Sequence, residues 1–545
     1  MTTIQNPILP GFNPDPSILR VGDDYYIATS TFEWFPGVAI HHSRDLVHWR
    51  LLTFPLTRAS QLDMIGNPDS GGIWAPCLSY ANGMFYLIYT DIKSLTGTYK
   101  DGRNYLVTAS AIEGPWSEPS YMNSSGFDAS LFHDDDGRSY LLNMLWDHRS
   151  NKNKFAGIVL QEYSDSEKKL VGPISNIYAG TELGITEGPH IYKRDGWYYL
   201  LTAEGGTFYE HAVTLARSRS LTGPYQTGPK NPVLTAWHAA PDRLQRTGHA
   251  SLVETQNGEW FMAHLCSRPL EWQAPATQPE KAYTQLHSNL GRETGLQRCV
   301  WTDDGWLELA HGDNLPLSVI PAPDLPPYPF AEISECDDFD SPTLALSFNS
   351  LRRPVDESWA SLKVRPGFLR LYGGESLNSL HRQSLLARRQ QAFRCEAETV
   401  LEFAPETMQQ AAGLVAYYST RNNAYLRVSH DGQLGKVIDL ALTDDAYYEE
   451  LLTAPIPLGE GRIGLKVVFD LHSYRFFYRV DQDNWQAIGP ALDSAKLSDE
   501  YATNWGRGQA TSFGFTGNFI GICCQDLSGV AHPADFDSFT YREHK

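Results

Sequence analysis

Three carboxylates, an indole and an imidazole stand at matched places along the chain: Asp15, Trp74, Asp128, Glu187 and His249. Each opens the same short template, in which a small residue, a Ser or Pro, a variable residue and an apolar residue follow. The copies are Asp15-Pro-Ser-Ile-Leu, Trp74-Ala-Pro-Cys-Leu, Asp128-Ala-Ser-Leu-Phe, Glu187-Gly-Pro-His-Ile and His249-Ala-Ser-Leu-Val. A repeat that served packing alone would carry apolar residues at the anchors. Paired carboxylates suit glycoside hydrolysis, where one protonates the leaving oxygen and the other activates water or attacks the anomeric carbon. A third carboxylate raises the pKa of a neighbour, because like charges at short range disfavour ionisation. An indole face suits the C–H face of a pyranose. Spacing leaves the division of roles among the three open.

The anchors lie 59, 54, 59 and 62 residues apart, enough for a four-stranded antiparallel sheet with its loops. Nine residues after four of them comes a turn glycine (Gly83, Gly137, Gly196, Gly258), and three further on an aromatic (Tyr86, Tyr140, Tyr199, Phe261); the first copy has Asp23 and Tyr26. Each unit therefore predicts strand, tight turn, strand. The pieces 41–49, 110–116 and 217–225, each ending on an aromatic, are expected as outer strands. Five such sheets bury their faces when set radially, so the first 320 residues predict a five-bladed β-propeller. Small residues after each anchor suit the crowded axis, and the five anchors are expected to ring one cavity.

Composition narrows the partners. The 545 residues carry 44 Lys plus Arg against 64 Asp plus Glu, a net charge of -20, which argues against nucleic acid and anionic membranes. The basic clusters Arg352-Arg353 and Arg388-Arg389 are expected as solvated surface. Seven scattered cysteines without CxxC spacing indicate reduced core residues in a cytoplasmic protein, and the first residues lack the pattern of a signal peptide. Nucleotide, HExxH and EF-hand motifs are missing, and Asp134-Asp135-Asp136 is expected at a solvated hairpin tip. No cofactor is required by this reading, although a divalent cation beside His249 would find a ligand there.

FNPDPS (12–17), FDASLF (127–132), ITEGPH (185–190) and LGRET (290–294), followed by an all-β C-terminal region, resemble the β-xylosidases of glycoside hydrolase family 43 over essentially the whole chain. The resemblance implies an inverting mechanism with Asp15 as general base, Glu187 as general acid and Asp128 tuning that acid. It also implies Arg292 near the sugar hydroxyls and the tuning Asp128, and Phe32, Trp74, Thr207, Phe208 and His249 along the sugar pocket. A Pro-rich linker (321–332) leads to strand-like runs over 333–545, read as a concanavalin-like β-sandwich. On its own such a domain reads as a carbohydrate-binding module, but the resemblance implies that its segment 512–521, with Phe515 nearest the sugar, walls the cavity, favouring exo-acting release of terminal xylose from 1,4-β-xylo-oligosaccharides. α-L-Arabinofuranosidase activity is the near rival, and a non-catalytic sugar-binding propeller the distant one. The family also implies a homo-oligomer, a dimer or tetramer.

Overall fold

The computed structural model describes residues 2–240, 243–271, 285–506 and 509–544. Five antiparallel sheets follow one another along the chain, each a contiguous blade. Their innermost strands are Ser17–Val21, Gly72–Ala81, Ser130–His133, Glu187–Arg194 and Gln245–Glu254. Each turns back through a hairpin. In the second and fourth blades the turns are Asn82-Gly83 and Asp195-Gly196, all four residues at positive φ, the backbone that Asn-Gly and Asp-Gly corners adopt most readily. The template aromatics Tyr26, Tyr86, Tyr140, Tyr199 and Phe261 fall on the returning strands and are buried.

The Ser of the template does more than avoid crowding. Ser17 Oγ accepts from Leu78 N at 3.0 Å, Ser251 Oγ accepts from Ile18 N and donates to Pro16 O, both at 2.8 Å, and Ser130 Oγ donates to Pro189 O at 2.5 Å. Blade edges near the axis, where backbone groups would otherwise be buried unpaired, are thus stitched to their neighbours. The expected outer strands are mainly turns: 41–43 and 217–218 end the third strands Ala39–Ser43 and Ala212–Ser218, and the rest of each piece is a turn before the outermost strand. Residues 110–116 lie wholly between the third strand Gly102–Ala109 and the outermost strand Ser120–Asn123. In this turn and its counterparts the aromatic folds back on its own chain: Trp49 Nε1 to Leu46 O (3.0 Å), Trp116 Nε1 to Ile112 O (3.1 Å) and Tyr225 OH to Leu221 O (3.1 Å).

The propeller runs up to the start of the proline-rich linker. Leu307–Leu309 is the outermost strand of the fifth blade, and Val319–Pro321 pairs antiparallel with Thr3–Gln5, tying the two ends of the propeller. Beyond it two large sheets form the sandwich, with Leu414, Leu426, Ile438, Leu465, Phe476 and Ile522 among the residues packed between them. One of these sheets takes its last strand from the propeller. Trp34–Phe35, in the loop between Asp24–Thr29 and Ala39–Ser43, pairs with Asn349–Leu351. Trp34 is fully buried there and stacks on Phe519 at 3.8 Å between ring centroids.

Each basic cluster has one buried arginine, while Arg353 and Arg388 are half-buried. Arg352 is 1% exposed, pairs with Asp69 at 2.8 Å and donates to Asn67 O at 2.7 Å; Arg389, 7% exposed, donates to Phe12 O at 2.6 Å. Both reach from the sandwich into the propeller, so these charges hold the domains together in a place that composition cannot reveal. Asp134 likewise binds across blades, accepting from Lys193 Nζ (2.6 Å) and Tyr198 OH (2.9 Å). All seven cysteines are free and six are buried; Cys336 is exposed. Cys523 and Cys524 face opposite sides of their strand, towards the propeller and the sandwich core respectively. Among the described residues no helix is long and apolar enough to cross a membrane.

Candidate active site

The five anchors meet at one end of the axis in a cavity of about 330 Å³, whose lining includes Asp15, Trp74, Asp128, Glu187 and His249. Local backbone aims them. Asp15, Asp128 and His249 have φ of 55°, 55° and 39°, and in the other two copies the following residue carries the positive φ, Ala75 at 34° and Gly188 at 55°. Strand register also slips at Trp74/Cys77, Glu187/His190 and Gly248/Ala250, the bulge-like irregularity that redirects a side chain. At Gly188 the left-handed turn comes with a close approach: a Cβ would lie 3.0 Å from the His249 ring. The glycine after Glu187 therefore lets the acid and the imidazole share the cavity.

The three carboxyl groups have different surroundings. Burial pushes Asp15 up, but the charges of Arg292 and His249 and the hydrogen bond from Ser30 outweigh it, and its pKa falls below the usual carboxylate value. Arg292 Nη1 donates to Asp15 Oδ1 at 3.1 Å and Ser30 Oγ to Oδ2 at 2.6 Å. Burial pushes Asp128 up to about 6, helped by repulsion from Asp15 and opposed by His249, whose Nδ1 lies 3.9 Å from Asp128 Oδ2. Gly188 N donates to that same oxygen at 3.1 Å, so the peptide beside Glu187 is pinned to Asp128. Glu187 is pushed well above the ordinary glutamate value by burial, then by Asp128 and Asp15, against the weaker pull of Arg292 and Lys100. One cavity thus holds a carboxyl group pushed towards ionisation, Asp15, and one pushed towards protonation, Glu187.

Aromatic rings make the walls. Phe32 lies 5.9 Å from Trp74 and 6.0 Å from Phe515, and Trp74 meets Phe127 edge-on at 5.3 Å. Phe515 comes from the sandwich, on the segment expected to close the cavity, although Phe519–Asp526 within and beyond that segment is a strand. Its carbonyl accepts from Arg292 Nη2 at 3.3 Å, and Ser70 Oγ accepts from Phe515 N at 3.2 Å while donating to Phe513 O at 3.1 Å. The LGRET loop packs directly on this segment: a Cβ at Gly291 would lie 2.5 Å from Thr516 O, and one at Gly517 would lie 2.7 Å from Leu290 O. Two glycines back to back let the loops touch, and Asn518 N donates to Asn289 O at 2.9 Å beside them.

Every residue expected in the pocket, Phe32, Trp74, Thr207, Phe208, His249, Arg292 and Phe515, lines this cavity. Others there carried no repeat signal. Lys100, whose pKa burial lowers to about 8, lies 5.0 Å over the Trp146 ring and 5.4 Å over Phe513. His211 is 1% exposed, and burial with the charges of His249 and Arg292 lowers its pKa to about 3, so its imidazole is neutral. Trp505 and Phe513 add sandwich rings at the wall. Among the described residues no group of three or more His, Cys, Asp or Glu side chains is arranged to hold a metal ion.

A five-bladed propeller whose axial cavity sets two carboxyl groups of opposite proton affinity among aromatic rings is the framework of a glycoside hydrolase. The chain belongs to glycosyl hydrolases family 43, whose model matches residues 4–307, and residues 336–542 match the beta xylosidase C-terminal concanavalin A-like domain. It is 50% identical to a beta-xylosidase of Bacillus subtilis (strain 168) over 99% of both chains. It is 48% identical to xylosidase/arabinosidase 43B of Humicola insolens, over 99% of this chain and 98% of that one. The crystal structure of xylan beta-1,4-xylosidase from Bacillus halodurans C-125 superposes with a TM-score of 0.94 at 57% identity, covering 99% of this chain and 100% of that one.

Proposed function

We propose that the protein is an exo-acting, inverting β-xylosidase that removes terminal xylose from 1,4-β-xylo-oligosaccharides. The observation that carries this reading is the opposite displacement of two carboxyl groups in one cavity: Arg292 and Ser30 favour the charged form of Asp15, while burial and two neighbouring carboxylates favour the protonated form of Glu187. Asp15 takes a proton from water as that water attacks the anomeric carbon, and Glu187 protonates the departing glycosidic oxygen. Asp128, bound to the Gly188 amide, orients the acid and keeps its proton on. The substrate choice follows the names of the relatives, and the wall of Phe513, Phe515 and Trp505 supports attack at a chain end. Product profiles from xylobiose and xylotriose test the specificity, and proton NMR of the first product tests the stereochemistry: early β-xylose would reject inversion.

A second activity on α-L-arabinofuranosides is favoured by the 48% identity to an enzyme named for both sugars. Parallel turnover of nitrophenyl β-xyloside and α-arabinofuranoside measures the balance. The proposal includes a cytoplasmic homo-oligomer, checked by cell fractionation and light scattering, and catalysis without a required cofactor, checked by activity and metal content after chelation: activity lost on chelation would favour a divalent cation beside His249.

A further inference from the structure

Behind the cavity, where the two domains meet, lies a charge cluster that the acid and base do not touch. Arg246 of the fifth blade is fully buried, with φ 55°. Its Nη1 is 2.9 Å from Asp499 Oδ2 and 3.6 Å from Glu500 Oε1, both on the sandwich and both fully buried. The carboxylates are themselves held from several sides. Tyr418 OH donates to Asp499 Oδ1 at 2.7 Å, Tyr209 OH to Glu500 Oε1 at 2.7 Å, and Ser288 N to Glu500 Oε2 at 2.7 Å. The rest of the guanidinium faces the site: Nε and Nη2 grip the Thr207 carbonyl at 3.1 and 3.0 Å. Thr207 Oγ1 in turn accepts from Arg292 Nη1 at 2.9 Å, the same nitrogen that donates to Asp15.

A buried ion cluster of this kind costs desolvation, and replacing it by apolar residues is often neutral for stability, so stability alone gives little reason for it. Its geometry gives another. We propose that Arg246 is a positioning residue through which the sandwich sets the propeller site: Asp499 and Glu500 fix its guanidinium, which fixes Thr207 and so the orientation of Arg292 towards Asp15. The proposal rests on the hydrolase reading above. A rigid fork is required, because a lysine ammonium is a single point that cannot hold both the carboxylates and the carbonyl as a planar guanidinium does. The groups around Asp15 define the readout. Arg292, His249, His211 and Ser30 face it directly, with Asp128 and Glu187 across the cavity, and Arg292 has the largest opposing influence on its protonation.

The test is Arg246→Lys in the full chain, assayed on nitrophenyl β-xyloside across pH with the thermal midpoint recorded. The expected result is a folded protein whose kcat/KM falls roughly ten- to hundredfold, as misplacement of a positioning group does. The acid limb of its pH profile should move up, because a displaced Arg292 no longer holds Asp15 ionised. Asp499→Asn, which releases Arg246 from the sandwich side, should move the limb the same way, and it decides the matter if Arg246→Lys does not fold. An unmoved acid limb in a folded variant overturns the proposal, whether or not activity falls. A wild-type protein inactive on xylosides and arabinofuranosides would reject the function, and this proposal with it; active wild type with unaltered variants rejects this proposal alone.

Discussion

Arg292 donates to Asp15 at 3.1 Å, and this bond separates one carboxylate from the other two in the cavity. Asp15 has its own cation and a hydroxyl donor, whereas Glu187 is surrounded by Asp128 and Asp15 with Arg292 only a lesser influence. In the proposed mechanism, base and acid are set apart by which carboxylate the LGRET arginine reaches.

Glu187→Gln separates leaving groups. On xylobiose, whose departing sugar oxygen needs a proton, kcat should fall by about 10²–10⁴-fold, the usual contribution of a general acid. On nitrophenyl β-xyloside, whose phenolate leaves with little protonation, the loss should be much smaller. Steady-state kinetics on both decide it, and equal losses would remove Glu187 from the acid role.

Asp128→Asn shifts the alkaline limb. Charged Asp128 raises the pKa of Glu187, so its neutral replacement lets Glu187 lose its proton at lower pH. The limb of kcat/KM should move to lower pH, and the two profiles should diverge chiefly above about 6, where Asp128 itself is ionised. Unchanged alkaline limbs would show that Asp128 does not tune the acid.

Gly517→Ala forces the sandwich segment away from the LGRET loop. The added Cβ would sit 2.7 Å from Gly291 N and Leu290 O at a φ of 85°, so overpacking of about 1–3 kcal/mol is expected on top of backbone strain. Both the thermal midpoint and kcat/KM should drop. Gly529→Ala is the control, with a φ of 84° and open space around its Cβ: it carries the strain and should leave kcat/KM unchanged.

Glu33→Gln should protect the fold at alkaline pH. Glu33 is fully buried in the loop between Phe32 and Trp34, and burial with the nearby Asp69 charge pushes its pKa up to about 8, against the pull of Arg352. A folded pKa above the unfolded one means that stability is fully present below the ordinary glutamate pKa and is lost as pH rises through about 8. The wild-type thermal midpoint should therefore fall more steeply than that of the variant between about pH 5 and about pH 9. Parallel slopes in scanning calorimetry would contradict it.

Much of the molecule was legible from local pattern. The template after Asp15, Trp74, Asp128, Glu187 and His249 marks inner strands because its determinants, an aimed anchor, small residues and an Asn-Gly or Asp-Gly corner, all lie within about a dozen residues, the length over which turn chemistry acts. Five copies implied the ring, and the ring implied one cavity. The outer pieces misled because an aromatic after a turn marks a strand end and a folded-back turn equally well, as Trp116 shows by bonding to Ile112 O.

The chain by itself determined the propeller, the sandwich and the three acids, because each follows from short-range spacing. Tertiary structure alone decided what spans hundreds of residues. Trp34–Phe35 completes a sandwich sheet, Arg352 and Arg389 are buried links between domains, and Lys100, His211 and Trp505 enter the cavity from places without a repeat signal. The physical reason is the same in each case. A charge or ring is read by its partners, and for Arg292 the partners are Asp15 and Phe515, one from each end of the chain.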